Sequence, residues 1–165
     1  MGGVRKASFP PIVGPRTRVL VLGSLPGEIS LARAQYYANP QNQFWRLIGA
    51  VIDEDLVELG YEARLERLLK AGVGLWDVIA TAERAGSLDG AIRGHEPNAL
   101  AELAAGLPQL GAIGFNGGTS GRIGRKALDG QGGWALVPLP SSSPAFTRPF
   151  EEKRVAWLAL RGFLD

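Results

Sequence analysis

The segment RVLVLG, residues 18–23, decides the fold of this chain. Its β-branched and leucine-rich residues run into a glycine, a pattern typical of a buried strand. Three similar apolar runs follow glycines along the chain: GLWDVI (74–79), GAIGFN (111–116) and WALVPLP (134–140). The sequence therefore predicts four short, buried strands.

Helical patterns separate these strands. In residues 43–53, apolar side chains recur at i, i+3, i+4 and i+7, and Leu65, Leu68 and Leu69 repeat this pattern in 61–70. Helices are also predicted over 96–107, which has a proline near its start, and over 149–164, which closes the chain with apolar residues. Alternating strands and helices favour a parallel sheet covered on both faces. We predict an α/β fold: one three-layer α/β/α sandwich over residues 1–165, with a mostly parallel four-stranded central sheet and a proline-rich N-terminal arm over 1–16.

Composition excludes several kinds of site. The 165 residues include no cysteine, which rules out disulfides, thiolate catalysis and cysteine-ligated zinc. The single histidine, His95, rules out a multi-histidine metal site and lies in RGHEPN, which reads as a polar surface loop. The sequence contains no run of about 18 apolar residues, the length needed to span a membrane. We expect a cytoplasmic protein that needs no metal or cofactor and has no membrane partner.

Ligands of open α/β sheets bind outside the carboxyl ends of the strands, so the loops after the four strands are informative. The first loop begins with GSLPG (23–27), whose backbone N–H groups could converge on an anion or a carbonyl oxygen. It matches neither a Walker loop nor a dinucleotide-binding motif. By itself, this stretch is explained by a tight turn about as well as by a binding site.

The stretch YYANPQNQFW (36–45) concentrates aromatic and carboxamide side chains without a charge. Asn42 is placed to cap the following helix, and Phe44 by composition alone favours the core. Asn39 precedes Pro40, so its backbone is biased to an extended form at the helix entrance. Structural and functional interpretations of Asn39 are about equal at this point.

Two later loops add polar groups at the same predicted edge. Asn116 ends the third strand, where its carboxamide could read a base-like edge or simply form a turn before Gly117. The loop LPSSSPAF (139–146) places three serines between prolines, a stiff, hydroxyl-rich segment suited to phosphate oxygens. Arg122, Arg125 and Lys126 on the next helix favour a solvated basic face.

Together, GSLPGEISLARAQYYANPQNQFWRLIG, GVGLWDVIATAERAGSLDGAI, GFNGG and LPSSSPAF resemble the uracil-DNA glycosylase superfamily, most closely its hypoxanthine-DNA glycosylase branch. The resemblance covers about residues 17–164. It implies a single α/β domain that flips a deaminated base out of DNA and hydrolyses its N-glycosidic bond, with hypoxanthine foremost and uracil or xanthine as further substrates.

The resemblance also implies roles for the loops. Asn39, in the Ala-Asn-Pro stretch, matches the catalytic asparagine that would hold the attacking water. Phe44 matches the aromatic that stacks on the base, and Asn116 the reader of the base edge. The base-binding set implied is Gly23, Ser24, Leu25, Tyr37, Phe44 and Asn116, and the DNA-binding set is Ser141, Ser142, Ser143 and Pro144.

Related uracil enzymes carry aspartate or asparagine in the glycine turn, where this chain has Ser24 and Leu25. Because Asn39 is no strong base, the mechanism expected here stabilises the leaving base. Backbone N–H groups at residues 23–25 would supply that stabilisation. No lysine lies in the matching motifs, so strand cleavage through a Schiff base is not expected.

Asp77 and Asp89 are the carboxylates nearest the predicted site, and the sequence favours Asp77 as an acceptor of backbone hydrogen bonds in its own loop. The alternative to an enzyme is a catalytically silent nucleic-acid- or nucleotide-binding module. A serine esterase is disfavoured, because no G-x-S-x-G elbow is present. A monomer acting on damaged DNA is the expectation.

Overall fold

The computed structural model describes residues 5–165, so the first four residues of the predicted arm lie outside it. The strands are β1 (Arg5–Ala7), β2 (Val19–Gly23), β3 (Val73–Asp77), β4 (Ile79–Glu83), β5 (Arg93–Pro97), β6 (Ala112–Asn116) and β7 (Ala135–Leu139). The α-helices are α1 (Glu28–Arg33), α2 (Phe44–Ile52), α3 (Tyr61–Ala71), α4 (Leu100–Ala105), α5 (Gly118–Ala127) and α6 (Phe150–Trp157). Short 3₁₀ segments occupy Asp89–Ala91 and Leu158–Phe163.

The central sheet confirms the predicted fold. Its four strands are parallel in the order β3-β2-β6-β7. Residues of β2 alternate between two cores: Val19 and Val21 face the cluster of α2, α3 and α6, while Leu20 and Leu22 face that of α4 and α5. Burial on both faces explains why this strand is continuously apolar.

The register aligns the carboxyl ends of the strands. Gly23 pairs with Asp77, and Asn116 pairs with Leu139. The loops after β2, β3, β6 and β7 therefore leave the sheet at one edge, as the sequence predicts for a binding site.

A second sheet was not anticipated. Strands β1, β4 and β5 form a three-stranded antiparallel sheet, with Ala7 opposite Thr81 and Glu83 opposite Arg93. Because β5 is exposed along its whole length, it lacks the apolar pattern that marks a strand in a sequence.

This sheet corrects two local expectations. His95 lies in β5 and not in a loop, although it is exposed as expected. The helix predicted over 96–107 begins only at Leu100, because Pro97 still pairs with Ile79 in the sheet. Among residues 5–165, no helix has both the length and the apolar composition needed to cross a bilayer.

Candidate active site

A cavity of about 580 Å³ opens at the carboxyl edge of the central sheet. Its walls come from the segment after β2, the last residues of β3 and β6, residues 87–90 after β4, and the loop after β7. The structure brings nearly all of the predicted site residues to it, namely Gly23, Ser24, Leu25, Tyr37, Asn39, Asn116, Ser141, Ser142, Ser143 and Pro144. Arg122, Arg125 and Lys126 are exposed and lie outside its walls.

Phe44 is the predicted site residue that does not line the cavity. Its side chain is fully buried, and the ring of Tyr37 lies flat against it, with 3.9 Å between ring centroids and 11° between planes. Tyr37 lines the cavity and Phe44 does not. The aromatic face available to a ligand is therefore that of Tyr37, and Phe44 supports it from behind.

Tyr37 is held in an uncommon backbone conformation. Its φ of 53° falls in the left-handed region, which costs a non-glycine residue about 1 kcal/mol or more. Its carbonyl oxygen accepts a hydrogen bond from the indole N–H of Trp45 at 3.0 Å. Burial raises the pKa of the Tyr37 phenol well above its ordinary value, so the ring is a neutral platform.

Asn39 lies at the mouth of the cavity with a partly exposed side chain. Its Oδ1 accepts a hydrogen bond from the Gln41 N–H at 2.9 Å, which fixes the carboxamide in an Asx turn. An amide oxygen has a second lone pair. Asn39 can therefore accept a hydrogen bond from water while the turn holds its orientation.

Asn42 confirms its predicted capping role. Its Oδ1 accepts the N–H of Phe44, the first residue of α2, at 2.9 Å. The Asx turn at Asn39 and this cap fix the chain between Tyr37 and α2.

Asn116 is engaged with the protein at both ends of its carboxamide. Its Nδ2 donates to Ser142 Oγ at 2.9 Å and to the Tyr37 hydroxyl at 3.3 Å, while its Oδ1 accepts the Ser142 N–H at 2.9 Å. The side chain is buried. In this arrangement Asn116 positions the serine loop and Tyr37, and both ends of its carboxamide have protein partners although the residue also lines the cavity.

The serine loop, residues 141–144, is held from several directions. Ser142 is 1% exposed, and its carbonyl oxygen accepts the Gln43 N–H at 2.9 Å. Lys153 of α6, also buried, donates to Gln43 Oε1 at 2.8 Å and to the carbonyl oxygen of Ser143 at 3.3 Å. Ser142 is therefore an internal anchor, and the outer surface of the loop is formed by Ser141, Ser143 and the exposed Pro144.

The glycine turn presents backbone donors to the cavity. Among hydrogen bonds between residues 5–165, the Ser24 and Leu25 N–H groups donate none. The Ser24 hydroxyl donates to Asp89 Oδ1 at 2.6 Å, so the side chain is tied to the opposite wall. Both residues are nearly buried, which makes two unused N–H groups at a cavity wall a site for a negatively charged or carbonyl oxygen.

Arg84 fixes the outer part of this turn. Its guanidinium, 3% exposed, donates to the carbonyl oxygens of Leu25 and Pro26, and its Nε donates to that of Gly86 at 2.8 Å. The Ser24 and Leu25 N–H groups share trans peptide planes with the carbonyl oxygens of Gly23 and Ser24. Those oxygens accept the N–H groups of Val78 at 2.8 Å and Ile79 at 3.2 Å, so the two unused N–H groups point away from residues 78 and 79. Sequence reasoning missed Arg84, because nothing in its local pattern distinguishes it from a surface arginine.

Asp77 does not play the loop-fixing role that the sequence favoured. No described residue donates a hydrogen bond to its carboxyl group, although it is 4% exposed and lines the cavity. The loop is fixed by Asn98 instead, whose Nδ2 donates to the carbonyl oxygens of Asp77 at 2.8 Å and Ile79 at 3.2 Å. The pKa of Asp77 is raised to about 7: burial raises it most, the neighbouring Asp89 also raises it, and Arg84 lowers it.

Two further features bear on the chemistry. Within residues 5–165, no group of three or more His, Cys, Asp or Glu side chains is arranged to hold a metal ion. Another concavity, of about 410 Å³, lies between α2 and α6 and contains none of the predicted site residues. The polar groups that line the large cavity are carboxamides, hydroxyls, backbone N–H groups and the carboxyl groups of Glu28, Asp77 and Asp89, of which only Asp77 is buried.

Comparison with known proteins places these features in a family. The model of the uracil DNA glycosylase superfamily matches residues 10–161. A hypoxanthine DNA glycosylase of Methanosarcina barkeri is 38% identical over 154 residues, 93% of this chain and 96% of that protein. One of Methanosarcina acetivorans is 40% identical over 155 residues, 94% and 97% of the two chains. The solution NMR structure of a Methanosarcina acetivorans protein matches with a TM-score of 0.87 at 38% identity, covering 97% of this chain and 99% of that one.

Proposed function

Because the chain belongs to the uracil DNA glycosylase superfamily, we propose that it is a monofunctional DNA glycosylase that removes hypoxanthine from DNA. The observation that carries the proposal is the cavity itself, which combines an aromatic platform, an oriented carboxamide and unused backbone donors. Two relatives that match almost the whole chain are named hypoxanthine DNA glycosylases. Uracil and xanthine are additional candidate substrates.

The base must be flipped out of the DNA duplex before its glycosidic bond can be attacked, and this extrusion costs a few kcal/mol. Stacking on an aromatic ring returns about 1 to 3 kcal/mol. We assign this stacking to Tyr37, since Phe44 is covered by it. The Phe44 ring keeps Tyr37 flat and adds an aromatic pair of about 0.5 to 1.5 kcal/mol.

Cleavage of an N-glycosidic bond builds positive charge on the sugar and negative charge on the departing base. The Ser24 and Leu25 N–H groups are placed to donate to the base as it leaves. One such preorganised donor is worth about 3 to 4 kcal/mol in related settings. Hydrogen bonds from the Val78 and Ile79 N–H groups to the carbonyl oxygens of Gly23 and Ser24 hold these two peptide planes, and Arg84 fixes the residues that follow them.

Asn39 holds the attacking water through the free lone pair of its amide oxygen. A carboxamide does not accept a proton at neutral pH, so the water becomes a good nucleophile only as the sugar gains positive charge. This order fits a mechanism in which departure of the base leads and addition of water follows.

Base removal without strand cleavage follows from the cavity lining, which within residues 5–165 includes no lysine. Lys153 contacts the serine loop, and its amine donates hydrogen bonds to Gln43 and to the carbonyl oxygen of Ser143. Ser141, Ser143 and Pro144 form the rim that contacts the DNA backbone. One domain carries the whole cavity, so the active species proposed is a monomer.

The direct test is base release from end-labelled duplexes that contain a single deoxyinosine, deoxyuridine or deoxyxanthosine. Alkali then cleaves any abasic site. Release from the deoxyinosine duplex, abolished by Asn39→Ala, is the expected result. Release from uracil alone would change the substrate, and tight binding without release would favour a silent nucleic-acid-binding module.

A further inference from the structure

Asp77 carries a chemical feature that the proposed mechanism leaves unused. Among residues 5–165, its Oδ2 is the one buried side-chain nitrogen or oxygen atom with no hydrogen-bond partner. Leaving such a group buried and unpaired costs about 1 to 3 kcal/mol or more. Oδ2 itself has almost no accessible surface, so the carboxyl group has to turn toward a ligand in the cavity, and pairing with that ligand would then recover the cost.

The position of Asp77 is set by the central sheet. Asp77 ends β3 beside Gly23 of β2, and the approach is so close that a Cβ on Gly23 would lie 2.7 Å from Asp77 Oδ1 and 2.9 Å from the Tyr37 hydroxyl. A glycine at 23 thus keeps the space between the carboxyl group and the aromatic platform open. Gly23, Tyr37 and Asp77 all line the cavity.

The charges around Asp77 come from three neighbouring segments. Asp89 on the 3₁₀ turn raises the pKa of Asp77, and Arg84 beyond β4 lowers it. Tyr36 and Tyr37, on the loop before α2, are neutral phenols. Arg84 is committed to carbonyl oxygens of the glycine turn and makes no ion pair with Asp77. Burial therefore decides the protonation state, and it favours the neutral acid.

We propose that Asp77, as a neutral carboxylic acid, binds the Watson–Crick edge of the flipped hypoxanthine. This inference rests on the proposed function. Hypoxanthine presents an N1–H donor beside its O6 acceptor, and a protonated carboxyl group offers an acceptor beside a donor. The pair forms two hydrogen bonds, with the acid O–H donating to O6 and the other oxygen accepting N1–H.

The protonated state is essential to this contact. An ionised carboxylate only accepts hydrogen bonds and would repel O6, which gains negative charge as the base departs. Asn116 has both amide hydrogens committed to Ser142 and Tyr37, so in this arrangement it does not supply the donor that O6 requires. Base release is therefore expected to decline as Asp77 ionises.

The test is single-turnover release of hypoxanthine from a deoxyinosine duplex, with excess enzyme, between roughly pH 5.5 and pH 8.5. The wild-type rate should fall about tenfold for each pH unit above the pKa of Asp77. Asp77→Asn is the matched variant, because its carboxamide donates and accepts but does not ionise. It should release the base and lack this decline, and Asp77→Ala should be slower than Asp77→Asn at every pH.

Asp89→Asn provides a second measurement that does not depend on the folding of the Asp77 variants. Removing the negative charge of Asp89 lowers the pKa of Asp77, so the decline should begin at lower pH. Two outcomes would overturn the inference: the same decline of rate with pH in Asp77→Asn as in the wild type, or an unchanged midpoint of that decline in Asp89→Asn. In either case, release of hypoxanthine by the wild type would still support the proposed function. Absence of release by the wild type at every pH would overturn both.

Discussion

The ring of Tyr37 lies stacked on the ring of Phe44, with their centroids 3.9 Å apart, and separates Phe44 completely from the cavity. The two rings are nearly parallel, at 11°. A base that enters the cavity thus meets the outer face of a two-ring stack. Tyr37 is the contact residue in this arrangement, and Phe44 is part of the core.

Replacing Tyr37 by alanine should weaken stacking on the flipped base by about 1 to 3 kcal/mol. The measurement is the single-turnover rate of hypoxanthine release together with the affinity for the deoxyinosine duplex. Tyr37→Phe is the matched control, since it keeps the ring and loses only the hydroxyl bonded to Asn116. Equal losses in both variants would show that the hydroxyl, and not the ring face, is the important group.

Phe44→Ala should act on stability. Removing a fully buried phenylalanine ring typically costs about 3 to 5 kcal/mol of unfolding free energy. Chemical denaturation measures this loss, and Phe44→Leu should lose less because most of the apolar volume is retained. A stable Phe44→Ala protein that fails only in base release would instead return the stacking role to Phe44.

Asn39→Ala should abolish base release while largely preserving DNA binding, because the residue orients water and lies at the cavity mouth. Release assays and binding to an uncleaved duplex separate the two effects. Gln41→Ala is the control: the exposed side chain is removed, but the backbone N–H that holds Asn39 remains. Full activity in Asn39→Ala would remove this residue from the mechanism.

Asn116→Ala and Ser142→Ala should both weaken DNA binding, because each breaks the same buried network behind the serine loop. Loss of one partner from such a pair costs about 1 to 3 kcal/mol. In a double-mutant cycle on duplex affinity the two effects should not add, with a coupling energy of about 0.5 to 3 kcal/mol. Additive effects, or an altered base preference in Asn116→Ala alone, would support a direct reading role for Asn116.

Asp77 should also make the stability of the fold depend on pH. Its pKa rises from 3.8 in the unfolded chain to about 7 in the fold. The protonated carboxyl group therefore contributes its full stabilisation below pH 3.8, and this contribution is lost as the pH rises through about 7. The complete loss is of order 4 kcal/mol. Thermal unfolding of Asp77→Asn should show a smaller decline across this window than the wild type, with the exposed Asp129→Asn as the control.

Much of the architecture could be predicted from the sequence. The four central strands begin and end within one or two residues of their apolar runs. Strands β2, β3 and β6 are buried and therefore apolar, whereas β7, predicted to be buried, is mostly half-buried at the edge of the sheet. The loops that carry the cavity followed from this arrangement, since parallel strands bring their carboxyl ends to one edge. The antiparallel sheet did not follow, because β5 is exposed and its strand is defined by backbone pairing with β4.

The sequence by itself determined the fold class, the family and the set of loops that meet at the cavity. Only the tertiary structure decided which side chains face a ligand. Tyr37 and Phe44 are both aromatic, and stacking order made one the platform and the other its support. Asn116 and Asp77 both end central strands, yet packing gave Asn116 internal partners and left Asp77 without one. Residue types and spacing predict which groups lie near the cavity. The orientation of each side chain and its hydrogen-bond partners depend on contacts between segments that are far apart in the chain.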